Sequence, residues 1–137
     1  MHHFHYRDGQ LHAEDVAVAD IAAAGGTPVY IYSLATITRH YRLYAEAMAR
    51  AAGSAERSHV FFAMKSNSNI AVLETLAALG SGADVVSEGE IRKAMRAGIP
   101  ASKIVFSGVG KTAREMALAL REGIACFNVE SEPELEL

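Results

Sequence analysis

The chain has 137 residues, with 13 basic against 16 acidic side chains, half of its residues apolar and 21% charged, which excludes a disordered, collagen-like or disulfide-dense protein. A formal charge of -3, with the basic residues scattered, leaves no footprint for a nucleic-acid partner. The single Cys126 excludes an internal disulfide, no apolar run approaches the roughly 18 residues of a membrane span, and the composition suits a reducing cytoplasm.

The opening MHHFHYRDG carries His2, His3 and His5, readable as a metal cluster or a tag remnant. Histidine runs without a second ligand group seldom hold an ion, so no metal is expected. No basic stretch followed by an apolar run and a small-residue cleavage site opens the chain, so no signal peptide is expected. A turn at Arg7-Asp8-Gly9 separates two short mixed segments, and Thr27-Pro28 leads into the apolar Val29 to Tyr32. Residues 1–33 are therefore read as a β-type lead-in. Leu34, Ile37, Tyr41, Tyr44 and Met48 then recur at spacings of three and four, the apolar face of a helix.

From there the strand candidates Val60 to Met64, Ala83 to Val86, Ile104 to Phe106 and Ile124 to Val129 alternate with helical stretches. That alternation predicts βα repeats around a parallel sheet, in an α/β fold. Ser87 with Glu90, Thr112 with Glu115 and Ser131 with Glu134 have capping-box spacing at three helix starts. Gly53, Gly80, Gly98 and Gly123 follow the helical stretches, where a left-handed residue closes a helix. Pro28 and Pro100 stand before or between elements, and Pro133 falls in a first helical turn, where no donor is needed. The chain reads as cut off, because it stops at Pro133-Glu134-Leu135-Glu136-Leu137 just as a helix should begin. A closed (β/α)8 barrel of the TIM type needs about 250 residues, so this chain would supply its first half. An open sheet of four strands is the competing architecture.

In parallel α/β folds the site gathers at the carboxyl ends of the strands. Here those ends deliver Lys65, then Ser87, then Ser107 with Gly108, then Asn128 and Glu130. Lys65 closes the apolar run Val-Phe-Phe-Ala-Met, and in a sheet buried on both faces it would be desolvated. Burial favours the neutral amine, which attacks carbonyls to form a Schiff base. Strand alternation would put small Ala63 on the same face as Lys65. The simpler reading is a lysine that reaches past the strand end into water. Asp84, in the apolar Ala-Asp-Val-Val, needs a partner, either a structural donor or a group beside Lys65. Glu90 is accounted for by its capping box with Ser87, so the residues alone favour a structural role.

Other motifs fail. Gly108-Val109-Gly110-Lys111-Thr112 resembles the end of a Walker A loop, but Val105 stands where its first glycine belongs. Gly80-Ser81-Gly82 lacks the third glycine of a dinucleotide fingerprint, since Val85 occupies that place. No zinc-type spacing of Cys and His occurs, and Cys126 reads as a small buried side chain.

The segments FHYRDGQLHAEDV, GTPVYIYS, FAMKSNSN, GADVVSEGEI, FSGVGKT and FNVESEPEL follow one another as blocks that resemble the amino-terminal part of the diaminopimelate decarboxylase family. These are fold-type III pyridoxal-phosphate enzymes, built on a barrel of the alanine racemase type. The resemblance covers nearly the whole chain. It implies that Lys65 is the Schiff-base lysine of pyridoxal 5'-phosphate, that Ala63 and Asp84 lie close to the cofactor ring, and that Glu90 lies near the lysine. Ser66 stands where the family usually has alanine. Relatives separate at the same segments. Alanine racemase continues its lysine motif with alanine-tyrosine-glycine-histidine, where this chain has Ser68-Asn69-Ile70-Ala71. Ornithine-type decarboxylases usually have phenylalanine-aspartate-cysteine, where this chain has Ala83-Asp84-Val85.

The resemblance further implies decarboxylation of meso-2,6-diaminopimelate to L-lysine and carbon dioxide by a cytoplasmic homodimer. Residues 1–33 would belong to a second, mostly β domain and residues 34–137 to the incomplete barrel. The phosphate cradle, the acidic partner of the pyridine nitrogen and the substrate-binding arginines would lie beyond residue 137. Three alternatives stand beside this reading: an ornithine- or arginine-type decarboxylase, an inactive fragment or non-catalytic pyridoxal-phosphate binder, and a plain α/β domain.

Overall fold

In the computed structural model, which describes residues 2–137, the chain opens with strands β1 (Phe4–Arg7), β2 (Gln10–Ala13) and β3 (Val16–Ala17). They form an antiparallel sheet in the order β1-β2-β3, with Phe4 opposite Ala13 and Arg7 opposite Gln10. The turn expected at Arg7-Asp8-Gly9 joins the first two. Asp8 and Gly9 have φ of 50° and 78°, the left-handed pair that a two-residue hairpin with the right strand twist requires.

Two features of residues 1–33 differ from expectation. Val18–Gly25 forms helix α1, because the alanine-rich run favours helix and Gly25-Gly26 closes it. Val29 to Tyr32 is not a strand, since no neighbouring strand pairs with it among the described residues, and Tyr30 is 86% exposed. Helix α2 (Leu34–Ala52) forms where the apolar spacing predicts it. None of its residues is buried, so its stripe of Leu34, Ile37, Tyr41, Tyr44 and Met48 stays half-buried or exposed. Its amino terminus is capped from a distance: the Glu14 carboxylate accepts from Ser33 Oγ at 2.7 Å and from the Ala35 N–H at 2.9 Å. These two donors hold the Glu14 carboxyl below its ordinary range.

By compactness the chain divides within α2, into one unit ending at Leu43 and another running from Tyr44 to Leu137. The second unit contains strands β4 (Phe61–Ala63), β5 (Gly82–Val85), β6 (Ile104–Phe106) and β7 (Cys126–Phe127). Helices α3 (Ile70–Ala78), α4 (Glu88–Arg96) and α5 (Ala113–Glu122) connect them, and α6 (Glu132–Glu136) follows. The sheet is parallel throughout, and its spatial order β4-β5-β6-β7 is the chain order. Two strands are shorter than the apolar runs that announce them: Val60 to Met64 contracts to three residues, and Ile124 to Val129 to two.

The two faces of this sheet differ. Ala83, Val85, Ile104 and Phe106 are fully buried beneath Leu73 of α3, Ile91 and Ala94 of α4 and Ala119 of α5. By register and alternation, Ala63, Asp84, Val105 and Cys126 occupy the opposite face, where none is buried. The sheet is therefore covered on one side only, not on both. Cys126 is exposed rather than buried for the same reason. Gly82 marks the tightest approach: a Cβ there would fall 2.5 Å from the Phe61 ring and 2.6 Å from the Lys103 carbonyl oxygen.

Candidate active site

The open face ends in polar residues, and each is set by how its strand stops. β4 ends at Ala63, and Met64–Ser66 form one turn of 3-10 helix, so Lys65 stands on a turn rather than on the strand. Alternation therefore does not pair Ala63 with Lys65. Met64 takes the buried position and Lys65 is exposed, which corrects the expectation of a desolvated amine. Asn67 and Asn69 build the next helix start: the Asn67 side chain accepts from the Asn69 N–H, and Asn69 caps α3 at the Ala71 N–H.

The chain has four lysines, and their surroundings separate them. Lys93 Nζ donates to Ser68 Oγ at 3.1 Å and Lys103 Nζ to the Gly80 carbonyl at 3.1 Å. Lys111 Nζ donates to the carbonyls of Gly108 and Asn128, both at 2.7 Å, and to Glu134 at 2.5 Å, with its side chain fully buried. Lys65 alone has no hydrogen-bond or ion-pair partner among the described residues. An amine without a competing partner has no contact to give up before it meets a carbonyl ligand.

Asp84 is the register partner of Ala63 on the neighbouring strand and is half-buried. Its partner is Ser107, whose hydroxyl donates to Oδ1, and Ser107 Oγ accepts from Asn128 Nδ2 at 3.0 Å. Asp84, Ser107 and Asn128 thus form one hydrogen-bonded row across the ends of β5, β6 and β7. No ion pair joins Lys65 to Asp84 or Glu90 among the described residues.

Glu90 departs from its expected capping box. Its own N–H donates to Ser87 Oγ at 3.3 Å, but its carboxylate reaches back to the Val86 N–H at 2.8 Å instead of to Ser87. Glu134 does the same at α6, accepting from the Glu130 N–H at 3.3 Å and also from Lys111. Only Thr112 and Glu115 form the reciprocal box. Lys111, which the sequence offers only as part of a failed nucleotide motif, proves to be a buried clamp between the loops after β6 and β7. Its position directly after Gly108-Val109-Gly110 in a loop is the one signal the sequence carries; its partner Glu134 lies 23 residues on.

Residues 34–137 match the family model described as pyridoxal-dependent decarboxylase, pyridoxal binding domain. The chain belongs to the pyridoxal-dependent decarboxylase family. Within it, the chain is 51% identical over 138 residues to the diaminopimelate decarboxylase of Vibrio cholerae, covering 99% of this chain and 32% of that protein. It is 52% identical over 134 residues to the diaminopimelate decarboxylase of Pseudomonas aeruginosa, with 97% and 31% covered. The crystal structure of diaminopimelate decarboxylase from M. jannaschii in co-complex with L-lysine superposes with a TM-score of 0.89 at 36% identity, covering 97% of this chain and 31% of that one. The chain thus spans about a third of the length of the decarboxylases it matches. Over the matched part, the α/β fold of this chain is that of the M. jannaschii enzyme.

The residues at the strand ends suit the group for which this family is described. A pyridoxal ligand carries an aldehyde and needs a free amine, and Lys65 is the lysine whose ammonium is unengaged. Small Ala63 leaves the last position of β4 low, and its register partner Asp84 adds a carboxylate acceptor on the next strand.

Proposed function

We propose that the complete protein removes a carboxyl group from meso-2,6-diaminopimelate to give L-lysine and carbon dioxide, with pyridoxal 5'-phosphate bound at Lys65. The observation that carries this reading is the free Lys65 amine at a strand end of a chain about half identical to curated diaminopimelate decarboxylases. Pyridoxal phosphate, when bound, supplies an electron sink for the pair left by a departing carboxylate. The chain's own residues supply attachment and orientation. Lys65 provides the attaching amine, Ala63 the space for a flat ring, and Asp84 a carboxylate beside it. Glu90, tied to the Val86 N–H, fixes the first turn of α4 behind Asp84.

The sheet supports a barrel as its setting. Doubly wound sheets reverse their strand order and carry helices on both faces, whereas barrel walls add each strand beside the last with every helix outside. The order β4-β5-β6-β7 with α3, α4 and α5 on one face has the second character. In this reading residues 34–137 are the first βα units of a TIM-type barrel, and residues 1–33 belong to a second β domain. The protein is then a cytoplasmic homodimer acting on a small amino acid. No helix among the described residues is long and apolar enough to cross a membrane.

The test is release of carbon dioxide by the complete protein from meso-diaminopimelate, L-ornithine, L-arginine and L-lysine, with pyridoxal phosphate added. Turnover of meso-diaminopimelate at least about a hundredfold above the others is expected, since a site built to hold a distal carboxylate as well as a distal amine rejects substrates lacking that carboxylate by large factors. Preference for ornithine or arginine would assign the chain to the polyamine-type enzymes instead.

A further inference from the structure

We propose that Ser107 and Asn128 are positioning residues for Asp84, forming a one-way hydrogen-bond relay that holds its carboxylate as an oriented acceptor beside the pyridoxal-phosphate site. The proposal rests on the cofactor reading of Lys65 given above. It draws on three strand ends that the sequence presents separately.

The direction of the relay follows from donor and acceptor capacity. An asparagine Nδ2 can only donate, so in the 3.0 Å contact with Ser107 the hydroxyl oxygen accepts. The one hydroxyl proton is then free to go to Asp84 Oδ1, its other partner. Oδ1 of Asp84 is thereby fixed as the acceptor at the end of the relay. Oδ2 has no hydrogen-bond partner among the described residues, which leaves it as the oxygen available to a ligand.

The far end of the relay is anchored. The backbone of Asn128 is bound twice: its N–H donates to the Phe106 carbonyl at 2.9 Å, and its carbonyl accepts from Lys111 Nζ at 2.7 Å. Lys111 also grips the Gly108 carbonyl next to Ser107. The buried ammonium therefore fixes the two loops from which the relay side chains project. Ser107 is held in turn by its N–H to the Val85 carbonyl at 2.8 Å, one residue past Asp84. The backbones that carry Ser107 and Asn128 are thus both tied down, so the relay reaches Asp84 from a fixed base, the condition under which a polar network orients a group rather than merely solvating it.

The experiment is a double-mutant cycle on pyridoxal-phosphate affinity of the complete protein, read by absorbance titration, with thermal unfolding of the cofactor-free form in parallel. Asp84→Ala, Ser107→Ala and the pair are compared with Ser107→Thr, which keeps a hydroxyl. Ser107→Ala should weaken binding about three- to tenfold, and the pair should be little worse than Asp84→Ala alone, because the two residues act as one unit. Ser107→Thr should restore most of the affinity. Independent, multiplicative losses, or a Ser107→Ala effect confined to the unfolding midpoint, would overturn the relay while leaving the cofactor reading intact. If the unmodified protein takes up no pyridoxal phosphate at Lys65, both fall together.

Discussion

Lys111 and Glu134 are the strongest case of a charge that the fold cannot leave alone. The ammonium is fully enclosed and its three protons go to two carbonyls and the carboxylate, so removing either partner strands a buried polar group. Lys111→Ala should therefore lower the unfolding midpoint far more than Arg92→Ala, which breaks an exposed pair with Glu88 worth at most about 1 kcal/mol. The joint replacement Lys111→Met with Glu134→Leu should recover only the part of the loss due to the stranded carboxylate, since the Gly108 and Asn128 carbonyls still lose their donor, a comparison thermal denaturation makes directly. The same pair imposes a pH dependence. Lys111 first, and then the Glu130 N–H, hold the Glu134 carboxyl below its ordinary value of 4.5. A carboxyl whose folded value is depressed contributes its full stability above the ordinary value and loses it as pH falls toward the depressed one. Stability measured by chemical denaturation should accordingly decline below about pH 4.5, and Glu134→Gln should flatten that decline. None of this was legible in sequence, because Lys111 and Glu134 lie in successive βα units and meet only once β6 and β7 are side by side.

At the scale of the element, α5 shows how far a local pattern can be read. Thr112 accepts from the Glu115 N–H, and the Glu115 carboxylate returns to the Thr112 N–H and hydroxyl, closing the box that their spacing announces. Glu115 also accepts from the Glu88 N–H at 3.0 Å, tying the start of α5 to the start of α4. That N–H first, and then the Thr112 donors, lower its pKa. Thr112→Ala should cost about 1 kcal/mol in equilibrium unfolding, the usual worth of such a cap. The equal spacing of Ser87 and Glu90 gives a different outcome, with the carboxylate on Val86, because the strand leading into α4 presents that N–H within reach. Spacing of three locates a helix start, but the preceding backbone decides which donor the glutamate takes. Strand lengths are not legible for a related reason: Met64 and Val129 continue apolar runs after the hydrogen-bonded ladder has ended. Residues 18–25 carry no helix signal beyond a short alanine-rich run, which is why the helix there is not legible beside the hairpin that precedes it.

Across the whole molecule, the second unit is organised by one contrast. Phe106, Ile104, Val85 and Ala83 bury one face of the sheet under three helices, while Ala63, Asp84, Val105 and Cys126 line the other. The parallel α/β order, the four strands and the left-handed glycines after the helices were readable from periodicity and punctuation, and Gly53, Gly80, Gly98 and Gly123 all have positive φ. The open face was not, because an apolar strand run looks alike whether one side or both are covered. At the end of β4, Lys65 is exposed and unengaged, while the other three lysines hydrogen-bond to Ser68, Gly80 and Glu134. The most direct measurement is borohydride reduction of the complete protein with pyridoxal phosphate, followed by peptide mapping of the modified lysine. Label confined to Lys65, and lost in Lys65→Arg, is the predicted result. Label spread over Lys93 and Lys103, or no label, would contradict the assignment of Lys65 as the attachment site.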